Sequence, residues 1–186
     1  MIESRDLNLI LDTMILADIV QAGNGGLWDE LIRWAALTTE GLNIRANSRV
    51  IRLLLSNRLL ADYSAGLSKR HIKWGRIKGF KEQVQKANKE KFPVTSNLFL
   101  VPWVIGESHL SNSTLDSPRD PYDEGLGKIV GIACQSNKFR NQEVILASRD
   151  DDTVEDLEAQ TVSVEASRIF NITTSLSDTV IRIRDP

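Results

Sequence analysis

Short apolar runs that alternate with stretches of helical periodicity constrain this chain more than any other feature. Leu7-Asn8-Leu9-Ile10-Leu11, Val50-Ile51-Arg52-Leu53-Leu54-Leu55 and Val144-Ile145-Leu146-Ala147 each have the length and content of a buried strand, and Asn97 to Ile105 reads as another, with Trp103 beside Pro102. Between them, residues 14–21, 26–37, 58–63 and the stretch from Asp123 through Ala133 carry apolar residues at helical spacing. Gly23, Gly25 and Gly26 separate the first two helices, and Pro93 ends a charged helical stretch at 69–91. Residues 106–122, rich in Gly, Ser, Asn, Asp and Pro, read as loop, and a short acidic helix with one or two strands closes the chain. Strands alternating with helices predict an α/β fold with a mostly parallel sheet of four to five strands and helices on both faces.

The length of 186 residues suits one domain over 1–186, with a basic helical segment at 69–91 and a C-terminal extension after about residue 156. The charged start Met1-Ile2-Glu3-Ser4-Arg5-Asp6 does not resemble a signal peptide, and no apolar stretch spans a bilayer, so a cytoplasmic protein with no membrane partner is expected. The single cysteine, Cys134, allows no internal disulfide, and its helical, apolar setting makes it a core residue. With only two histidines, His71 and His109, a zinc site of Cys and His is excluded. Any metal needs hard oxygen ligands, which points to magnesium or manganese.

The candidate ligands are carboxylates. Asp12 and Asp150 each follow an apolar strand directly, and if those strands are parallel neighbours both acids emerge at one sheet edge, where α/β proteins collect ligands. Asp62 lies on the helix after the strand that ends at Ser56, and Asp123 and Glu124 open a later helix. Carboxylates brought together repel unless a cation neutralises them. Each acid alone has a plainer explanation, because caps and turns are where Asp normally sits and Asp150-Asp151-Asp152 can be a solvated turn.

Four segments, in order, resemble the motifs of PIN-domain nucleases. They are Leu11-Asp12-Thr13-Met14-Ile15-Leu16, Ser56-Asn57-Arg58-Leu59-Leu60-Ala61-Asp62-Tyr63, Arg119-Asp120-Pro121-Tyr122-Asp123-Glu124 and Leu146-Ala147-Ser148-Arg149-Asp150-Asp151-Asp152. The resemblance covers about residues 7–155 and implies a three-layer α/β/α Rossmann-like fold with magnesium- or manganese-dependent ribonuclease activity. It makes Asp12, Asp62, Asp123 and Asp150 the metal-facing catalytic acids. Glu124 and Asp152 are auxiliary to them, and Ser148 and Thr13 are supporting residues. Many such proteins are toxins of toxin–antitoxin pairs, which implies an antitoxin over the acidic pocket and pairing of two copies through their helices.

This sequence departs from the family pattern at three places. Met14 stands where an Asn is usual, Asp62 replaces a Glu, and the interval from Asp123 to Asp150 is long, with 136–142 as the extra loop. A PIN-like RNA- or protein-binding module with a decayed site is the alternative reading. A haloacid-dehalogenase-like enzyme ranks below both, because its second Asp would fall where Met14 stands.

From Lys69 to Lys91 there are nine Lys or Arg against two acids, Glu82 and Glu90, in a chain whose formal net charge is −2. Lys69, Arg70, Lys73, Trp74, Arg76, Lys78 and Lys81 are the candidate RNA-binding residues, with Trp74 and Phe80 available to stack on unpaired bases. A solvated helix face with Trp74 packed inward is the competing account. Trp28 and Trp34 read as helix packing or a partner face. His71 lies in the basic segment, where it reads as a surface histidine or a phosphate contact, and His109 has no completing ligand set nearby in sequence.

Overall fold

The computed structural model describes residues 7–22, 51–90, 100–111, 124–135, 143–148, 150, 171–173, 176–177 and 180–181. The expectations for 26–37 with Trp28 and Trp34, for 136–142, for Asp123 and Asp152, and for the acidic helix after Asp152 lie outside them. So does the side chain of Cys134.

In chain order the described elements are β1 (Leu7–Leu11), α1 (Thr13–Ala22), β2 (Ile51–Ser56), α2 (Asn57–Lys69), α3 (Trp74–Glu90), β3 (Leu100–Ile105), α4 (Glu107–Leu110), α5 (Glu124–Gln135), β4 (Glu143–Ala147), β5 (Asn171–Thr173), β6 (Leu176–Ser177) and β7 (Val180–Ile181). Four parallel strands run in the order β3-β2-β1-β4, and the three-residue β5 adds to the outer side of β4. A separate antiparallel contact joins β6 to β7. The α/β architecture expected from the alternation of runs is therefore present. Residues 106–122 are not loop from their start, because the single turn α4 occupies Glu107–Leu110.

Burial along the strands shows why the sheet is parallel and covered. Successive side chains of a strand point to opposite faces, yet Leu9, Ile10 and Leu11 of β1 are all buried, as are Leu53, Leu54 and Leu55 of β2. A strand apolar on both faces needs a layer on each, which crossover helices supply. Ile15, Leu16, Leu59, Tyr63, Leu126, Ile129 and Val130 pack into that core from the helices. Truncating Leu54, which is wholly buried, to Ala should cost about 2–5 kcal/mol.

Local signals set the helix ends. Ser56 caps α2, its Oγ accepting from the Leu59 N–H at 3.0 Å. At the other end, Ile72 N–H donates to the Leu67 carbonyl at 3.1 Å and His71 N–H to the Ser68 carbonyl at 3.1 Å. That pair of bonds is a Schellman turn, with His71 at φ 60° in the position glycine usually fills and Ile72 folded back on the core. The turn breaks the basic segment into the end of α2 and the separate helix α3.

In α3 the inward stripe is Ile77, Phe80 and Val84, all buried. This corrects both accounts of the aromatics. Phe80 is core and cannot stack on a base, whereas Trp74 is 62% exposed rather than packed inward.

Candidate functional site

Because β1 and β4 are adjacent and parallel, with Leu11 opposite Ala147, the residues that follow them leave the sheet side by side. The Asp12 N–H donates to the Ala147 carbonyl at 2.9 Å, extending the ladder one step past the strands. The chain adds β2 and β3 on one side of β1 and β4 on the other, so the gap between β1 and β4 is where the winding reverses. Open α/β sheets bind ligands at the carboxyl ends of strands at such a reversal.

The Asp12 carboxylate, in a residue only 3% exposed, fills that place. Its Oδ1 accepts from the Met14 N–H at 3.3 Å, which caps α1. Its Oδ2 accepts from the Ser148 hydroxyl at 2.6 Å, and Ser148 Oγ in turn accepts from the Asp150 N–H at 3.2 Å. The plain capping account thus holds for one oxygen, while the other bonds across the strand ends to Ser148. Burial pushes the Asp12 pKa up, the Ser148 hydroxyl and the Met14 and Thr13 amides oppose that rise, and the charge of Asp150 adds to it. The donors to this carboxylate are neutral groups.

Tyr63, absent from the candidates drawn from the sequence, braces the same point from α2. Its buried hydroxyl donates to the Leu11 carbonyl, so the Leu11–Asp12 peptide is held at both its oxygen and its nitrogen. Burial, together with the charges of Asp12 and Asp62, raises the phenol far above its ordinary value and keeps it neutral. Gly66 on α2 lies against Thr13, where an added Cβ would run into the threonine methyl.

Asp62 is buried on α2 and turned toward α5. Its Oδ2 accepts from the Gly125 N–H at 2.8 Å, and its Oδ1 lies 3.5 Å from Arg58 Nε. Burial is the chief cause raising its pKa, with Gly125 N–H and Arg58 working against it. Arg58 also reaches Glu124 Oε2 at 2.6 Å, and Lys128 reaches Glu124 Oε1 at 2.8 Å. These contacts, the Lys128 hydrogen bond first, lower the Glu124 pKa. The i, i+4 spacing of Arg58 and Asp62 is a sequence signal for their pairing, whereas nothing in the sequence announces Gly125.

The basic residues divide by exposure. Lys69, Lys73 and Lys78 are exposed, Arg70, Arg76 and Lys81 are half-buried, and Lys78 lies 3.7 Å from Glu82 one turn on. The Arg70 guanidinium touches Met14 Sδ, which brings the start of the basic segment to within two residues of Asp12 in the chain.

Oxygen donors of this kind suit a hard cation. Asp12, buried with neutral donors and a second carboxylate nearby, fits one. Asp62 and Glu124 already face Arg58 and Lys128. Among the described residues no group of three or more His, Cys, Asp or Glu converges to hold a metal ion. Asp123 and Asp152 lie outside those residues.

No protein-family model matches the chain, and no curated protein or solved structure matches it significantly. Among the described residues, no helix is long and apolar enough to cross a membrane.

Proposed function

We propose that the chain is a PIN-like endoribonuclease that hydrolyses RNA phosphodiester bonds with a bound magnesium or manganese ion. The observation that carries this reading is the placement of Asp12, a buried carboxylate at the winding reversal, hydrogen-bonded to Ser148 from the neighbouring strand end and close to Asp150. Asp12 and Asp150 would hold the ion, with Asp123 or Asp152 as the further acids that the motif resemblance supplies. A divalent ion at such a site offsets phosphate charge and lowers the pKa of bound water. The chain's own part is to hold Asp12 in one orientation through Ser148, Met14 and Tyr63, and to keep water from one side of it. Lys69, Lys73, Trp74 and Lys78 offer an exposed basic and aromatic face for the RNA backbone and bases. Arg70, touching Met14, links that face to the acidic end of the sheet.

A toxin role, with an antitoxin over the pocket and two copies paired through helices, follows if the family resemblance extends that far. The second reading, an RNA- or protein-binding module without catalysis, is favoured by one observation: Asp62 and Glu124 are already engaged by Arg58. The deciding experiment is cleavage of a labelled single-stranded RNA with magnesium or manganese by wild type, Asp12→Asn and Asp150→Asn. Wild-type cleavage that both substitutions abolish is expected. Cleavage that survives both, or that wild type lacks, rejects the nuclease.

A further inference from the structure

We infer that the Arg58 guanidinium is the resident cation of the Asp62–Glu124 carboxylate pair and keeps a divalent ion out of it. The corollary, that a metal ion is taken only at the Asp12–Asp150 end, rests on the nuclease reading; the role of Arg58 does not.

Every oxygen of the pair faces a cationic side chain or a backbone N–H. Asp62 Oδ1 faces Arg58 Nε at 3.5 Å and Oδ2 accepts from the Gly125 N–H at 2.8 Å. Glu124 Oε2 faces Arg58 Nη2 at 2.6 Å and Oε1 faces Lys128 Nζ at 2.8 Å. Two carboxylates thus meet two cations, and the pair presents no net charge. Asp12 differs, because its donors are a hydroxyl and backbone amides, none of which cancels its charge.

Competition favours the guanidinium. Arginine keeps its charge at any pH the fold survives, and its fork of N–H groups suits carboxylates. It sits on α2 four residues before Asp62, so it competes as a tethered group, at an effective concentration on the order of millimolar. Magnesium, by contrast, gives up its water reluctantly. Arg58 is 48% exposed at its side chain, so its removal leaves the buried core intact while opening the pair to solvent. The bridge from α2 to α5 is therefore a selectivity device as well as a helix contact, with Arg58 as a positioning residue for both acids.

The test counts manganese ions bound per chain by calorimetry and by electron paramagnetic resonance, without RNA. Arg58→Gln should bind one more ion than wild type, and adding Glu124→Gln to it should remove that ion again. Glu124→Gln alone should leave the wild-type count unchanged. An Arg58→Gln chain with the wild-type count overturns the inference, and so does a wild-type count that drops on Glu124→Gln. The second criterion decides alone if Arg58→Gln does not fold. A wild type that binds no ion beside an Arg58→Gln chain that binds one upholds the role of Arg58 and removes the metal centre at Asp12. A wild-type ion lost in Asp12→Asn, with no gain in Arg58→Gln, does the reverse.

Discussion

Ser148 donates a 2.6 Å hydrogen bond to Asp12 from the end of the adjacent parallel strand, and this bond joins two residues 136 positions apart. It is short and buried, and such a bond contributes most when its acceptor carboxylate is ionised. Ser148→Ala should therefore raise the Asp12 pKa further, since one of the interactions that holds it down is gone. It should also cost about 1–3 kcal/mol of stability, because the Asp150 N–H loses its acceptor as well. Carbon-detected titration of the Asp12 carboxyl and urea unfolding read the two effects. An unmoved titration would mean that the hydroxyl does not support the charge.

Asp12 also fixes the sign of a pH dependence. Burial raises its folded pKa above the ordinary 3.8, so the folded chain holds the proton more tightly than the unfolded chain does. Its contribution to stability is complete below that ordinary value and is lost as pH rises through the raised one. Ionised Asp12 thus opposes folding at neutral pH, and Asp62 shifts in the same direction for the same chief reason. Asp12→Asn should gain most over metal-free wild type at neutral pH, with the advantage shrinking as the solution is acidified. Urea unfolding at a series of pH values measures this. Parallel pH profiles for the two chains would remove Asp12 as the source.

Gly125 sets how closely α5 approaches α2. A Cβ there would sit 2.6 Å from Asp62 Oδ2, 2.6 Å from Leu59 N and 2.7 Å from Leu59 Cα. Two of those three neighbours are backbone and cannot swing aside, so Gly125→Ala should destabilise by about 1–3 kcal/mol through overpacking. The same variant should lengthen the Gly125–Asp62 hydrogen bond. A change in the denaturation midpoint indistinguishable from zero would show that the two helices separate freely.

The basic residues of α3 and the turn before it, exposed at Lys73 and Lys78 and half-buried at Arg76, make a salt-dependent prediction. Neutralising Lys73, Arg76 and Lys78 together should weaken single-stranded RNA binding and reduce the slope of log affinity against log salt, by about 0.7 for each phosphate that is no longer neutralised. Trp74→Ala should cost about 1–3 kcal/mol of binding if a base stacks there. Fluorescence anisotropy across a salt series separates the two effects. An unchanged slope in the triple variant would detach α3 from RNA recognition.

Much of the scaffold is legible in the sequence because β1, β2 and β4 are each short, apolar and followed at once by a polar residue. Leu7–Leu11 falls on β1, and the runs at 50–55 and 144–147 fall within a residue of β2 and β4. The Ser56 cap is a signal of the same local kind. What periodicity does not carry is adjacency. That β4 lies against β1, and so brings Ser148 to Asp12, follows from strand order, which no local pattern encodes. The orientation of α3 is written in the i, i+3, i+7 spacing of Ile77, Phe80 and Val84, but the dense charge of the opposite face masks it. Tyr63 and Gly125 matter through contacts with distant segments, and neither residue type announces such a role.

The span between Asp12 and Ser148 has a consequence in time. A chain emerging from the ribosome exposes Asp12 early, but the strand that carries Ser148 is made only after more than a hundred further residues. Parallel pairing requires crossovers and long-range contacts, which form late and slowly. Until β4 docks, Asp12 has neither its hydroxyl donor nor the neighbouring carboxylate. The arrangement around Asp12 is therefore withheld from the nascent chain until β4 has been made and has docked beside β1.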